Sequence, residues 1–316
     1  MSDPLSEGTG GRRIDEATGT ETMGHEWDGI EELNTPLPRW WVILFYACIL
    51  FAIGYVILYP AIPLRHGSTP GLLHWTSRGA FTREMAAAQA ARRPVLQALA
   101  ATPIDAVPQN PALMREAIAG GRAAFKVNCA PCHGAGAAGS IGYPNLNDDD
   151  WLWGGTLDAI QTTITHGIRY PGDDQTRMSM MPNFGADKIL TDNQIADVAS
   201  YVRSLSGLEP QASAAAHRGA AIFAANCVVC HGADGHGNRA VGAPNLADHI
   251  WLYGGARAQV IGSITNAHHG VMPAWAGRLD PVTIKMLAIY VHSLGGGEGF
   301  AAAAPAGAGA AGHGQP

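Results

Sequence analysis

CAPCH at residues 129–133 and CVVCH at residues 227–231 are two copies of one pentapeptide, Cys-x-x-Cys-His, in this chain of 316 residues. The pentapeptide is the attachment motif of a c-type haem. Its two thiols lie one helical turn apart and form thioethers with the haem, and the adjacent imidazole faces the iron. The sequence therefore predicts two covalently bound haem c groups. The predicted attachment residues and proximal iron ligands are Cys129, Cys132, Cys227, Cys230, His133 and His231.

Zinc and dithiol chemistry are the competing interpretations of these cysteines. Zinc sites usually pair two Cys-x-x-Cys hooks about 15–20 residues apart. Here Cys129 and Cys227 are 98 residues apart, and each motif carries its own histidine. A thioredoxin-like motif needs a βαβ context, which the sequence does not show. The haem interpretation is favoured. The fifth cysteine, Cys48, lies in an apolar run and is predicted to be a small buried hydrophobic residue.

The two motifs belong to a duplicated segment of about 90 residues, long enough for a core of its own once a haem fills it. AIAGGRAAFKVNCAPCHG aligns with AAHRGAAIFAANCVVCHG, and YPNLNDDDWLWGG aligns with APNLADHIWLYGG. Each copy has a Gly-x-x-x-Phe spacing, at 121–125 and 219–223, which places both residues on one helix face. That face is expected to meet a closing helix bearing Tyr201 or Tyr290.

This pattern resembles class I c-type cytochromes over essentially all of residues 115–295. Strand signals are scarce. The expected fold is all-α, with one N-terminal transmembrane helix and two tandem cytochrome domains, 115–207 and 208–296. The Pro-Asn-Leu segments at 144–146 and 244–246 are expected to lie near each proximal histidine and to fix its ring by a hydrogen bond.

Each repeat also contains a Met-Pro pair, which predicts the sixth ligand of the iron. Met181 and Met272 follow the proximal histidine of their own repeat by 48 and 41 residues. A thioether ligand raises the haem potential, which suits the high-potential end of a respiratory chain. Met181 is preferred to Met178 and Met180 because it is the one that matches Met272. The rival ligands are His166, His268 and His269.

A membrane segment precedes the repeats. Trp40 to Tyr59 is 20 residues without a charge, about 30 Å as a helix, with aromatic residues at both ends. Flanking arginines are nearly balanced, but haem attachment in c-type cytochromes takes place outside the cytoplasmic membrane. The predicted division is a cytoplasmic segment at 1–38, a transmembrane helix at 39–60, a periplasmic arm at 61–114, and a disordered tail at 297–316. The arm is predicted to contain an Ala-rich helix.

The segment before the span, DGIEELNTPLPRWW at 28–41, resembles DGIxExxNPLPxWW of the dihaem subunit III (FixP/CcoP) family of cbb3-type cytochrome c oxidases. The resemblance implies a subunit of the bacterial inner membrane that takes electrons from a donor cytochrome c. It passes them to a monohaem subunit and then to the haem–copper subunit, where oxygen is reduced. Both irons are expected to be six-coordinate, so the chain itself has no oxygen site. Membrane lipid is an expected partner and nucleic acid is not.

Two alternatives explain the haems without explaining residues 28–41. One is a free-standing, membrane-anchored dihaem shuttle, and the other is the cytochrome subunit of a periplasmic dehydrogenase. The first predicted cytochrome domain has seven basic and ten acidic residues, a net charge of −3, and includes the run 148–150 of three aspartates. This acidic face fits a basic cytochrome partner, and it fits a solvated loop equally well.

Which methionine serves which iron is open at this point. Spacing alone favours ligation within each repeat. The ligand assignments of the oxidase family favour an exchange, in which Met272 completes the iron held by His133 and Met181 the iron held by His231.

Overall fold

The computed structural model describes residues 11–299, in which ten α-helices and two short β-hairpins are formed. The predicted mostly helical architecture is confirmed, and the two hairpins are an addition to it. The chain divides into two compact parts, one up to Gln89 and one from Ala90 onward.

A β-hairpin lies in the predicted N-terminal segment, where no strand was expected. It pairs β1 (Thr22–Trp27) with β2 (Ile30–Leu33) in antiparallel register. Asp28 and Gly29 join the strands with φ of +49° and +85°. Two consecutive left-handed residues form the turn that Asp-Gly favours in two-residue hairpins, so the dipeptide was a usable signal. A second hairpin pairs β3 (Pro63–Leu64) with β4 (Gly67–Ser68).

Helix α1 (Arg39–Leu58) is the predicted membrane segment. It has 20 residues, and among residues 11–299 it is the helix long and apolar enough to cross a membrane. None of its residues is buried by the chain itself. Cys48 is accordingly exposed, so the prediction that it is buried was wrong. An uncharged apolar helix of this length without protein cover is typical of a membrane anchor.

The predicted arm contains α2 (Ser77–Ala101), which agrees with the Ala-rich helix expected there, followed by a 3-10 helix (Ile104–Gln109). The remaining helices belong to the two repeats. They are α3 (Pro111–Asn128), α4 (Ala130–His133), α5 (Leu157–His166), α6 (Asp192–Leu205), α7 (Ala214–Asn226), α8 (Val228–His231), α9 (Arg257–Thr265) and α10 (Pro281–His292).

These helices pack as two units whose members do not follow chain order. The Cys129 unit consists of α3, α4, α5 and α10, and the Cys227 unit consists of α6, α7, α8 and α9. Each unit therefore takes its closing helix, α10 or α6, from the other repeat. The packing crosses the boundary between the predicted linear domains, 115–207 and 208–296.

Glycine brings the closing helix close to the haem-motif helix in the Cys129 unit. A Cβ added to Gly121 of α3 would lie 2.1 Å from the carbonyl oxygen of Met286 in α10. One turn further along α3, the ring of Phe125 packs against Tyr290 with centroids 5.4 Å apart. The Gly-x-x-x-Phe face of the first repeat thus meets the closing helix of the second.

The Cys227 unit repeats this contact with the opposite partner. A Cβ on Gly219 of α7 would lie 2.1 Å from the carbonyl oxygen of Asp197 in α6. Phe223 packs against Tyr201 at 5.1 Å between ring centroids. Each unit has its own buried core, which includes the closing helix of the other repeat.

Both closing helices begin at a side-chain cap. Thr191 caps α6 in a capping box with Gln194, and Asp280 accepts hydrogen bonds from the first backbone N–H groups of α10. Lys285 of α10 donates to the carbonyls of Leu99 and Thr102, at 2.8 and 2.7 Å. The end of α2 is therefore held against the Cys129 unit.

Most of the predicted disordered tail, 297–316, lies outside the described residues. Of the three that are described, 297–299, Glu298 makes specific contacts. Its carboxylate accepts a hydrogen bond from the backbone N–H of Gly155 at 2.8 Å and pairs with Arg239. For Glu298 the prediction of disorder does not hold.

Candidate haem-binding sites

Each Cys-x-x-Cys-His motif starts at the end of one helix and continues as a second, single-turn helix. Cys129 is the C-cap of α3 and the N-cap of α4, and Cys227 has the same place between α7 and α8. The His133 N–H donates to the Cys129 carbonyl at 2.9 Å, which closes the turn. This single turn presents two sulfurs and one imidazole on the same side, as haem c attachment requires.

Both proximal histidine rings are fixed by a backbone carbonyl. Nδ1 of His133 donates to the carbonyl of Pro144, and Nδ1 of His231 donates to that of Pro244, each at 3.1 Å. The predicted role of the Pro-Asn-Leu segments is confirmed. Because Nδ1 carries the proton, Nε2 offers its lone pair to a metal. Burial lowers the pKa of both histidines, which favours the neutral, ligating form.

The thiols of the first cysteine in each motif are not activated. Burial, and then the neighbouring cysteine, raise the pKa of Cys129 and Cys227 to about 11. Zinc binding and dithiol exchange use thiolates, whose formation a lowered pKa favours. These surroundings therefore do not activate either thiol for dithiol exchange.

The Cys227 unit encloses a cavity of about 450 Å³, a size typical of cofactor sites. Its lining includes His231, both cysteines of the motif, and Met181. Trp251 also lines it, and its Nε1–H is buried without an acceptor among residues 11–299. A haem propionate is an acceptor of the kind this donor lacks. The residues present therefore fit a haem.

Met181 reaches this cavity because hydrogen bonds hold its loop against the Cys227 unit. The Phe184 N–H donates to the carbonyl of Ile264 at the end of α9, at 3.1 Å. Nε2 of His269 lies 2.9 Å from the Met181 carbonyl and donates to it. The methionine of the first repeat is thus brought to the histidine of the second.

Met272 is held by the Cys129 unit in the corresponding way. The Trp275 N–H donates to the carbonyl of Ile164 near the end of α5, at 3.1 Å, and Ile168 exchanges two backbone hydrogen bonds with Met272. Met272 and Cys129 pack against the same buried core. The Met272 loop therefore packs against the Cys129 unit, and the Met181 loop against the Cys227 unit.

The rival ligands have other contacts. Nδ1 of His166 lies 3.0 Å from a carboxylate oxygen of Asp173. The ring of His268 stacks on Tyr253 with centroids 3.9 Å apart, and His269 holds the Met181 loop as described. His268 and His269 line the cavity of the Cys227 unit, so they remain within reach of its ligand. The side chains of Met178 and Met180 are exposed.

The two units meet through a reciprocal contact that the sequence analysis missed. A Cβ on Gly142 would contact the ring of Tyr253, and a Cβ on Gly242 would overlap the ring of Trp153. The Gly142 N–H also donates to the carbonyl of Leu252 at 2.9 Å. These glycines and aromatic residues occupy equivalent positions in the two repeats, so the contact has approximate twofold symmetry.

Acidic side chains gather beside this interface. Burial is the largest cause that raises the pKa of Asp150 to about 6, followed by the charges of Asp248 and Asp148, while Arg239 opposes the shift. Asp248 belongs to the second repeat, so the cluster draws on both. The run of three aspartates is therefore not a simple solvated loop.

Comparisons with known proteins match the described domains to known families. Residues 19–66 match the family model of the N-terminal domain of cytochrome oxidase-cbb3, FixP; residues 118–206 match cytochrome c; residues 214–291 match cytochrome c oxidase, cbb3-type, subunit III. The chain is 54% identical over 285 residues to the cbb3-type cytochrome c oxidase subunit FixP of Azorhizobium caulinodans, covering 90% of this chain and 96% of that protein. It is 52% identical over 277 residues to the subunit CcoP of Cereibacter sphaeroides, covering 88% and 95%.

Two tandem cytochrome c domains behind one apolar helix define a membrane-anchored c-type cytochrome, with covalently bound haem c. Within that class, the chain belongs to the FixP/CcoP family of cbb3-type cytochrome c oxidase subunits.

Proposed function

We propose that the chain carries two haem c groups with exchanged methionine ligands. The haem attached at Cys129 and Cys132 has His133 and Met272 as axial ligands. The haem attached at Cys227 and Cys230 has His231 and Met181. The observation that best supports the exchange is that Met181 and His231 line the same cavity, although they belong to different repeats.

Haem count and attachment are tested on the purified full-length protein. The pyridine haemochrome is expected to report two haems per chain, and haem staining is expected to persist after denaturing electrophoresis. One haem per chain, or haem extracted by acid acetone, would contradict the proposal.

Ligand exchange is tested in a chain that keeps a single haem. Cys227→Ala with Cys230→Ala leaves the attachment site at His133 intact. In that background, Met272→Ala is expected to abolish the long-wavelength Met-to-iron charge-transfer band of the oxidised protein, and Met181→Ala, the matched control, is expected to leave it. The reverse result would establish ligation within each repeat. Retention of the band in both variants would implicate another methionine, and its absence from the single-haem parent would implicate a histidine.

The proposed function of the chain is electron transfer within the oxidase. Bound haem c supplies a reversible one-electron couple, and the protein tunes its potential through the axial ligands and the burial of the site. A histidine and a methionine would hold each iron, and the chain would then have no oxygen site. The chain is accordingly a non-catalytic subunit of the oxidoreductase. The contact of the two units, through Gly142, Tyr253, Gly242 and Trp153, holds the two sites in a fixed relation.

The partners and location follow from this role. Electrons come from a donor cytochrome c and pass to the monohaem and haem–copper subunits. Helix α1 spans the bacterial inner membrane in contact with lipid, with the N-terminus in the cytoplasm and the haem units in the periplasm. Support comes from the uncovered apolar face of α1 and from the oxidase subunits to which the chain is similar.

Assembly is tested by deleting residues 24–60, which include most of β1 and all of β2 and α1, and by adding a cleavable export signal so that the haem units still reach the periplasm. The deleted protein is expected to keep both haems and to stop co-purifying with the other oxidase subunits. Retained co-purification would refute the role of this segment. If the intact chain co-purified with no oxidase subunit, a free-standing shuttle would be the better description.

A further inference from the structure

One arginine side chain contacts both methionine loops. Nε of Arg169 donates to the carbonyl of Gly270 at 2.8 Å, and Nη1 donates to the carbonyl of Ser179 at 3.1 Å. Gly270 lies two residues before Met272, and Ser179 lies two residues before Met181. A single guanidinium therefore joins the loops that carry the two distal methionines.

The backbone around Arg169 fixes this bridge. Its neighbour Ile168 pairs with Met272 through hydrogen bonds of 2.9 and 3.0 Å, which anchors Arg169 to one loop. Arg169 itself has φ of +50°, a left-handed conformation that is unfavourable for a non-glycine residue. Such strain persists where the surrounding contacts require it. The side chain also lines the cavity of the Cys227 unit, beside Met181.

The bridge is asymmetric although the repeats are alike. The methionine of the first repeat follows its proximal histidine by 48 residues and that of the second by 41, so the first repeat has seven extra residues. Arg169 lies within this longer connection. In the second repeat, His269 lies three residues before Met272, and its side chain contacts the Met181 loop.

We propose that Arg169 is a positioning residue that holds both methionine loops at once and so stabilises both Met–iron bonds. The inference rests on the proposed ligand set. Arginine suits this task because its planar fork directs several N–H donors at fixed angles, whereas the lysine ammonium is a compact point charge. Without the fork, two carbonyls lose a charged donor and each loop gains freedom to leave its iron.

The test measures how easily imidazole displaces methionine from the oxidised, full-length protein with both haems. Imidazole binds only after methionine detaches, so its apparent Kd varies inversely with the detached fraction. Loss of one charged hydrogen bond per loop raises that fraction about tenfold. Arg169→Gln is therefore expected to lower the apparent Kd for imidazole about tenfold at both haems. Glutamine, like arginine, has a Cβ, so this variant keeps the unfavourable left-handed backbone at residue 169. The loss of the Met-to-iron band reports each displacement.

Two further variants separate positioning from charge. Arg169→Lys retains the charge but not the fork, and it is expected to remain weakened in at least one loop. Arg218→Gln removes the same charge from an exposed residue paired with Asp197 and is expected to behave as wild type.

Unchanged imidazole binding in Arg169→Gln, an effect at one haem only, or full recovery in Arg169→Lys would overturn the inference. These results leave the ligand set untouched. If the wild-type protein itself lacked the Met-to-iron band, the ligand set and the inference would both fail.

Discussion

Gly121→Ala is expected to destabilise the protein, although alanine is the better helix former. The added Cβ would lie 2.1 Å from the carbonyl oxygen of Met286 and 2.6 Å from the Cβ of Tyr290. Ordinary van der Waals contact begins at 3.4 Å. Helix α10 would have to retreat from α3 by roughly 1 Å, and a close-packed interior resists such a shift.

The magnitude is the difference between two opposing effects. Overpacking of a core costs about 1–3 kcal/mol, and here the obstacle is backbone, which places the cost at the upper end. Replacing glycine by alanine inside a helix returns about 1 kcal/mol. The expected net loss in the free energy of unfolding is about 2 kcal/mol. For a domain of about 200 residues, such as the two haem-motif units together, this loss corresponds to a melting temperature lower by about 4–8 °C.

The assay is thermal unfolding of the haem-loaded, full-length protein, followed by circular dichroism. Gly262→Ala in α9 is the matched control, because a Cβ there meets no atom within 4 Å. It is expected to leave the melting temperature unchanged or to raise it slightly. Gly219→Ala is expected to cost as much as Gly121→Ala, since its Cβ would lie 2.1 Å from the Asp197 carbonyl oxygen. A wild-type melting temperature in Gly121→Ala, or an equal loss in Gly262→Ala, would refute the reasoning.

Three more outcomes are expected. A double-mutant cycle should give a coupling of about 0.5–1.5 kcal/mol between Phe125 and Tyr290 and none between Phe125 and Tyr201; coupling to Tyr201 would contradict the exchanged closing helices. Because burial raises the pKa of Asp150 from 3.8 to about 6, the folded state binds this proton more tightly, so stability falls as pH rises through this window. Its slope is at most about 1.4 kcal/mol per pH unit, and Asp150→Asn should flatten that slope in urea unfolding measured across the window; an unchanged slope would refute the assignment. Lys285→Met keeps the aliphatic stem but leaves two carbonyls without their donor. The free energy of unfolding should therefore fall by about 1–3 kcal/mol. An unchanged free energy of unfolding would show that water replaces the ammonium group.

Several features could be predicted because each depends on residues close together in the chain. The haem motifs lie within five consecutive residues, and the membrane helix depends on 20 consecutive apolar ones. The start of α6 follows from Thr191 and Gln194, three residues apart, and the start of α10 from Asp280 before a proline. The hairpin turn is also a local feature, since it depends on the dipeptide Asp28-Gly29, but it was not predicted.

Other features had no local signal. Nothing around Arg169 in the sequence indicates that its side chain joins two loops, because its partners Ser179 and Gly270 are 10 and 101 residues away. The contact of Gly242 with Trp153 is similarly distant along the chain. Such contacts arise only when the two units are packed together.

By itself, therefore, the sequence determined the number of haem motifs, the membrane helix and the pairs of candidate histidine and methionine ligands. The tertiary structure decided which closing helix and which methionine loop pack against which motif. The reason is the duplication: Phe125 and Phe223 present the same face, and Tyr201 and Tyr290 are equivalent partners for it. Either pairing satisfies the local pattern. Only the packing of whole helices, with Gly121 against α10 and Gly219 against α6, selects the exchanged arrangement.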